Sequence, residues 1–296
     1  MAGEVVVGAR LHWHSHSQHK RIDVAKVLNQ VLAFCDRAAT YADGGILIAV
    51  GLPVAMAGSL TAAHVSTTDD FIASVRELCT HLQRETSVRP FFGRVRIIPV
   101  LYWGKFVPAL NALIGAAAEQ FPKATSLLLQ SLEMDVDATS IELLHSHFDH
   151  SRDLVVGAAM PGHDFQPDPE SQPIELSGLT SPWNTLALWN LDQLAKVGFV
   201  LMGDALRLEV EGIGSVAGIE EVATIAVYQQ LYANTTSPTT AKLVRVPNIA
   251  WQVDTMQDPE RCAWHEKKMA SKQQRAAAQI AHFGGVSPGR VYHLEA

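Results

Sequence analysis

Three sets of residues in this chain have the types and spacing that chemistry needs. The segment LLLQSLEMDVDATSIELL, residues 127–144, carries Glu133 and Asp135 just after a short apolar run. Carboxylate oxygens in such a place can hold a divalent cation. Gly218-Ile219-Glu220-Glu221 sets two acids side by side where a helical pattern opens. Such a pair either complements the helix dipole or supplies a general base. Histidines form the third set. His145-Ser146-His147-Phe148-Asp149-His150 spells H-x-H-x-D-H, with His163 and then Gly203-Asp204 further on, and imidazoles with a carboxylate are zinc ligands. His12, His14, His16 and His19 follow the first apolar run with no accompanying acid. They read as a polar loop before they read as a metal site.

These residues depend on the elements that present them. Val5–Leu11, Ile46–Leu52, Val95–Leu101, Leu127–Leu129 and Leu154–Ala159 are short apolar runs, the signature of buried strands. Between them lie helical patterns. Val24, Val27, Leu28, Val31, Leu32 and Cys35 make one stripe; Phe106, Leu110, Leu113, Ile114 and Ala117 make another. Ser66-Thr67-Thr68 precedes Asp69 and Asp70, so a capped helix is expected over Asp69–Gln83. A further helix is expected over Thr139–Phe148. Strands alternating with helices imply a largely parallel sheet covered on both faces. Ligands of such sheets bind beyond the carboxyl ends of the strands.

The second half is less regular. Pro161 to Pro182 is rich in Pro, Gly, Ser and acids and reads as a long loop, a length often used as a functional lid. Helices are expected at Thr185–Lys196, Ile219–Leu231 and Trp264–His282, and a strand at Lys242–Val246.

Composition narrows the function classes. With 48% hydrophobic and 18% charged residues among 296, the chain is an ordinary globular one. Its net charge of −7, without a Lys/Arg-rich run, argues against nucleic acid as a partner. Cys35, Cys79 and Cys262 are far apart and odd in number, which disfavours a disulfide framework or a zinc–thiolate site. The first ten residues lack a signal-peptide pattern, and no stretch has the roughly 18 uninterrupted apolar residues of a membrane span. A cytoplasmic location is the expectation.

The order of motifs from about residue 95 to 250 resembles the GT-A-fold nucleotide-sugar glycosyltransferases, the inverting family-two type in particular. The strand ending at Gln130, followed by Ser131-Leu132-Glu133 and then a helix, is similar to that family's strand–Asp-x-Asp–helix unit, with Ser131 and Glu133 at the two Asp positions. Gly104–Ala118 resembles the stretch that precedes this unit and brings Lys105 and Asn111 near the donor. Ser66-Thr67-Thr68-Asp69 resembles the Ser-Thr-Asp turn after the second strand, with Pro53 to Val65 as an insertion. SPWNTLALWNLDQLAKVGF, residues 181–199, is similar to the segment at the acceptor pocket, where Trp183 and Asn184 would face a sugar.

The resemblance implies one three-layer α/β/α domain with a mostly parallel central sheet. Residues 1–130 would be its nucleotide-binding half, 131–262 its acceptor and catalytic half, and 263–296 a C-terminal helix and tail. It implies a UDP- or GDP-sugar donor with Mn²⁺ or Mg²⁺. The metal would be held by Glu133, with Asp135 and His265 as further candidates. Ser131, Lys105, Asn111, Trp183 and Asn184 would contact the donor or acceptor. Glu221, with Glu220 second, would deprotonate the acceptor hydroxyl. The acceptor is left open, and a homodimer is possible. A protein of the same fold that only binds its ligand is one alternative. The other comes from H-x-H-x-D-H, which resembles the zinc motif of metallo-β-lactamase-like hydrolases.

Overall fold

The computed structural model describes residues 3–13, 20–53, 68–89, 93–168, 170, 172–205, 208–211, 214–216, 218–235, 238–251, 266 and 269–296. The first half alternates as the apolar pattern requires: β1 (Glu4–Leu11), α1 (Val24–Ala38), β2 (Gly45–Gly51), α2 (Asp69–Val88), β3 (Val95–Val100), α3 (Val107–Gln120) and β4 (Ala124–Gln130). Then come β5 (Met134–Asp135), α4 (Ala138–Ser146), β6 (Asp153–Ala158), β7 (Ile174–Glu175), β8 (Leu186–Asn190), α5 (Leu191–Val197) and α6 (Met202–Ala205). A small hairpin of β9 (Leu208–Val210) and β10 (Gly214–Val216) leads to α7 (Glu220–Leu231), β11 (Thr240–Val244) and β12 (Ala250–Trp251). The C-terminal helix Lys272–His282 and β13 (Arg290–Leu294) finish the chain.

Nine strands form the central sheet in the order β3-β2-β1-β4-β8-β6-β11-β13-β7. Its pairings are parallel except around β8 and β7, which run against their neighbours. Side chains along β1 divide between the two faces, as the two-residue period of a strand demands. Val5, Val7 and Ala9 join α1, α2 and α4, while Val6 joins α3, α5, α7 and the C-terminal helix. The chain is therefore a three-layer α/β/α protein with a mostly parallel sheet, the class its pattern implies.

Local signals explain the helix starts. Asp23, Thr68, Asp137 and Asn190 accept from backbone N–H groups in the first turns of α1, α2, α4 and α5. The helix expected over Thr185–Lys196 is instead the strand β8 followed by α5. Leu186, Leu188 and Trp189 fit a helical spacing, but β8 lies at the centre of the sheet and all five of its residues are buried. Leu186 and Leu188 pack on one face, Ala187 and Trp189 on the other. A strand covered on both faces shows no polar alternation, so its pattern cannot announce it. The Pro161–Pro182 segment is a loop as expected, interrupted by β7.

Candidate functional site

The carboxyl ends of β1, β2, β3, β4 and β6 share one edge of the sheet. β8 runs the other way, so its first residue, Leu186, pairs with Gln130 at the end of β4. That pairing brings Asn184 and Trp183 to the same edge as Ser131, whose N–H donates to the Thr185 carbonyl at 2.9 Å. Helix α7 returns to the start of β11, a parallel strand. Its N-terminus therefore also stands on the carboxyl edge.

Glu220 and Glu221 open α7, and both are buried, at 8% and 5% exposure. The Glu221 Oε1 accepts the Asn184 backbone N–H at 2.8 Å. Burial pushes the Glu221 carboxyl up from its ordinary pKa, and the like charge of Glu220 pushes the same way, against a smaller pull from Lys272. Arg10, one residue before the end of β1, forms an ion pair with Glu220 at 3.7 Å and lies over the Phe106 ring at 5.6 Å. The side-chain oxygen of Asn184 accepts from Trp189 Nε1 at 3.0 Å. Its Nδ2 is buried with no hydrogen-bond partner among the described residues.

Trp183 is buried beside this pair. His163 stacks on it at 3.6 Å, and the Lys272 Nζ lies 3.4 Å from a ring centre of the indole. The indole N–H donates to the Gly178 carbonyl at 2.9 Å. The ring expected to carry a sugar is thus already covered by an imidazole and an ammonium. His163 is held as a neutral ring, its Nδ1 accepting from Met160 N at 2.7 Å and its Nε2 bonded to the Ser181 carbonyl at 3.0 Å. Burial, with Lys272 next in weight, pushes its pKa down to about 3.

The residues expected on the donor side divide. Ser131 donates its hydroxyl to Glu133 Oε2, and both are half-buried just beyond β4. Asp135 is exposed and pairs with Arg37 at 3.4 Å, so its carboxylate is engaged by α1. Lys105 is exposed in the loop ahead of α3. Both ends of the Asn111 amide are taken by Phe199, whose N–H it accepts at 2.7 Å and whose carbonyl it bonds at 3.0 Å. Nearby, His12 stacks on Trp103 at 4.7 Å, against Gly51 at the end of β2. His14, His16, His19, Ser66, Thr67 and His265 lie outside the described residues. Among the described residues no three of His, Cys, Asp or Glu converge as a metal group. Just beyond β4 on this edge, the carboxylate of Glu133 is oriented by Ser131.

The H-x-H-x-D-H cluster requires a correction. It spans the end of α4 and the turn before β6, so it sits on the amino edge of the sheet. Asn190, at the far end of the reversed β8, donates to the His150 and Asp153 carbonyls there. His163 follows β6 and sits on the carboxyl edge. Six residues of β6 separate the two by about 17 Å of strand. His163 cannot share an ion with His145, His147 or His150.

Sequence reading missed Arg10, Lys272, Arg275 and Gln279. Arg10 was hidden at the end of an apolar strand. Lys272, Arg275 and Gln279 fall at i, i+3 and i+7, one stripe of the C-terminal helix, and all three are buried. A helix whose inward stripe is polar instead of apolar was the signal that could have found them.

No protein-family model matches the chain, and no curated protein matches it. Solved structures are similar over part of it. The TarS 1–349 fragment of S. aureus in complex with UDP-GlcNAc is 14% identical, with a TM-score of 0.33, covering 67% of this chain and 48% of that one. A structure titled simply S. aureus TarS is 15% identical, with a TM-score of 0.35, covering 67% of this chain and 30% of that one. The chain thus spans about half or less of the length of the solved structures to which it is similar.

Proposed function

We propose that this chain is a glycosyltransferase that moves a sugar from a nucleoside-diphosphate donor to an acceptor hydroxyl with inversion. One observation carries the reading: a buried carboxylate, Glu221, stands on the carboxyl edge with its pKa raised and a spare amide donor beside it. A raised pKa makes a stronger base, and burial keeps water from competing. In the proposed step Glu221 takes the proton of the acceptor hydroxyl. The acceptor oxygen bonds to the anomeric carbon as the bond to the diphosphate breaks, and the diphosphate leaves with that electron pair. Asn184 Nδ2 donates to a sugar or acceptor oxygen, and Arg10 holds Glu220 so that its charge is partly neutralised. Asn111 acts by fixing Phe199, and Trp183 acts by fixing the chain at Asn184.

Mg²⁺ needs one or two protein carboxylates when substrate phosphates supply its other ligands. Glu133, supported by Ser131, fits that requirement, with Lys105 as a nearby cation. A bound metal would neutralise charge on the departing diphosphate.

The test is a thermal-shift series with UDP, GDP and UDP-GlcNAc, each with and without Mn²⁺, followed by donor hydrolysis. UDP-GlcNAc is the first probe because a similar solved structure contains it. A melting-temperature rise with a nucleotide, and hydrolysis lost in Glu221→Gln, is the expected result. No shift with any nucleotide would sink the reading.

A further inference from the structure

We propose that Gln279 is the positioning residue of the Glu220–Glu221 pair, fixing where the two carboxylates stand by holding the N–H of the α7 N-cap residue from outside the helix. The role as support for a base rests on the transferase reading; the placement of the pair does not.

Helix α7 begins without the usual device. Its N-cap is Ile219, whose side chain can accept nothing, and no side-chain cap is formed. The helix start is instead tied from outside. Gln279 Oε1 accepts the Ile219 N–H at 2.8 Å, and Gln279 Nε2 donates to the Gly203 carbonyl at 2.7 Å. One amide thus joins three segments: the C-terminal helix, the start of α7 and α6. Gln279 is wholly buried. A Cβ at Gly218 would lie 2.2 Å from its Nε2, so the backbone approaches this amide more closely than any other residue would permit.

The same helix face sends two cations to the same place. Arg275 Nη1 bonds to the Gly218 carbonyl at 3.4 Å, and its charge is felt by Glu220 and Glu221. Lys272 acts on Glu221 while resting on Trp183. An apolar stripe would bury this helix with no desolvation cost, whereas buried polar groups cost free energy unless they are used. Here Lys272, Arg275 and Gln279 all address the carboxylate pair or the segment that presents it. Arg10 is a third cation facing the pair, 3.7 Å from Glu220.

The test uses the full chain, with glutamate carboxyls labelled with carbon-13 and their titration followed by NMR. The Glu221 signal is assigned by its loss in Glu221→Gln. Gln279→Met keeps volume and removes both hydrogen bonds. The start of α7 should then loosen, admit water and lower the Glu221 midpoint by about one pH unit. Gln229→Met is the control. Gln229 makes the same kind of double bridge, to the N–H and carbonyl of Arg290, at the other end of α7. It should lower the melting temperature and leave the Glu221 midpoint in place.

An unmoved midpoint in a folded Gln279→Met protein overturns the proposal. If that variant does not fold, Gln279→Glu keeps the acceptor for Ile219 and adds a carboxylate. A raised Glu221 midpoint then supports the placement, and an unmoved one overturns it. Nucleotide binding plays no part in this titration. A midpoint that shifts in a protein that binds no nucleotide retains the positioning role and sinks only the transferase reading.

Discussion

Each edge of the sheet buries a carboxylate, and the two are treated in opposite ways. On the amino edge Asp153 is 1% exposed and surrounded by donors. Lys242 Nζ reaches it at 2.6 Å, the Asp149 N–H at 2.7 Å, and the Thr240 hydroxyl donates to its other oxygen. On the carboxyl edge Glu221 takes a backbone N–H from Asn184 and has a second acid as its neighbour. A buried charge with dedicated partners is a structural fastener. A buried charge set beside another of its own sign costs stability, which Lys272, Arg275 and Arg10 offset in part. That difference supports the proposed role of Glu221 on the carboxyl edge.

The comparison can be broken most forcefully by exchanging the costs. Asp153→Ala leaves the Lys242 ammonium without its carboxylate and should cost about 3–5 kcal/mol in urea unfolding. Glu221→Gln should cost under about 1 kcal/mol at neutral pH, or raise stability, because it removes a charged group from a site that disfavours charge. Donor hydrolysis should fall by about 10²–10⁴ in Glu221→Gln. Equal losses of stability in the two variants would erase the distinction between the edges.

Acid and base should act on the carboxyl edge from opposite sides. His163 has its pKa pushed down to about 3, against an ordinary value near 6.5 in the unfolded chain. Between those values the unfolded chain binds the extra proton. Its contribution is therefore complete above about pH 6.5 and drains away as pH falls toward 3, by up to roughly 4 kcal/mol. Glu221 has its pKa raised. The folded chain holds that proton longer, so stability is lost as pH rises from the unfolded value through the folded one. Unfolding measured from pH 4 to 8 should show a flatter acid limb in His163→Phe and a flatter alkaline limb in Glu221→Gln. A wild-type acid limb retained in full by His163→Phe would remove His163 from this account.

How much of this was legible depends on the kind of signal. The strands β1, β2 and β4 announced themselves because strands covered on both faces carry apolar runs between turn residues. Glu220 and Glu221 were legible as adjacent acids at a helix start. β8 was not, because its burial comes from neighbours far off in sequence, and Leu-Ala-Leu-Trp-Asn satisfies a helical spacing as well as a strand. The H-x-H-x-D-H spelling misled for a related reason. Spacing along the chain does not say on which edge of a sheet a residue emerges, and β6 carries His163 away from the other three. Beyond the polar stripe of the C-terminal helix, the meaning of Arg10 and Gln279 lies in contacts 210 and 60 residues apart. No local pattern encodes those contacts.

A smaller effect separates the acids that follow β4. Glu133 and Asp135 are two residues apart, yet one is paired to Ser131 on the carboxyl edge and the other to Arg37 of α1. If Glu133 serves a metal-bound donor, Glu133→Ala should weaken Mn²⁺-dependent UDP binding about tenfold, near 1.4 kcal/mol, as read by calorimetry. Asp135→Ala should leave that affinity unchanged. It removes an ion pair whose two side chains are 35% and 54% exposed, and such pairs contribute under about 1 kcal/mol. Its expected mark is a small fall in melting temperature that disappears in high salt, since screening already weakens the wild-type pair there. If Asp135→Ala instead cost the larger loss of Mn²⁺-dependent binding, the cation would belong to the face beside α1. Glu133 would then be an ordinary turn residue held by its serine.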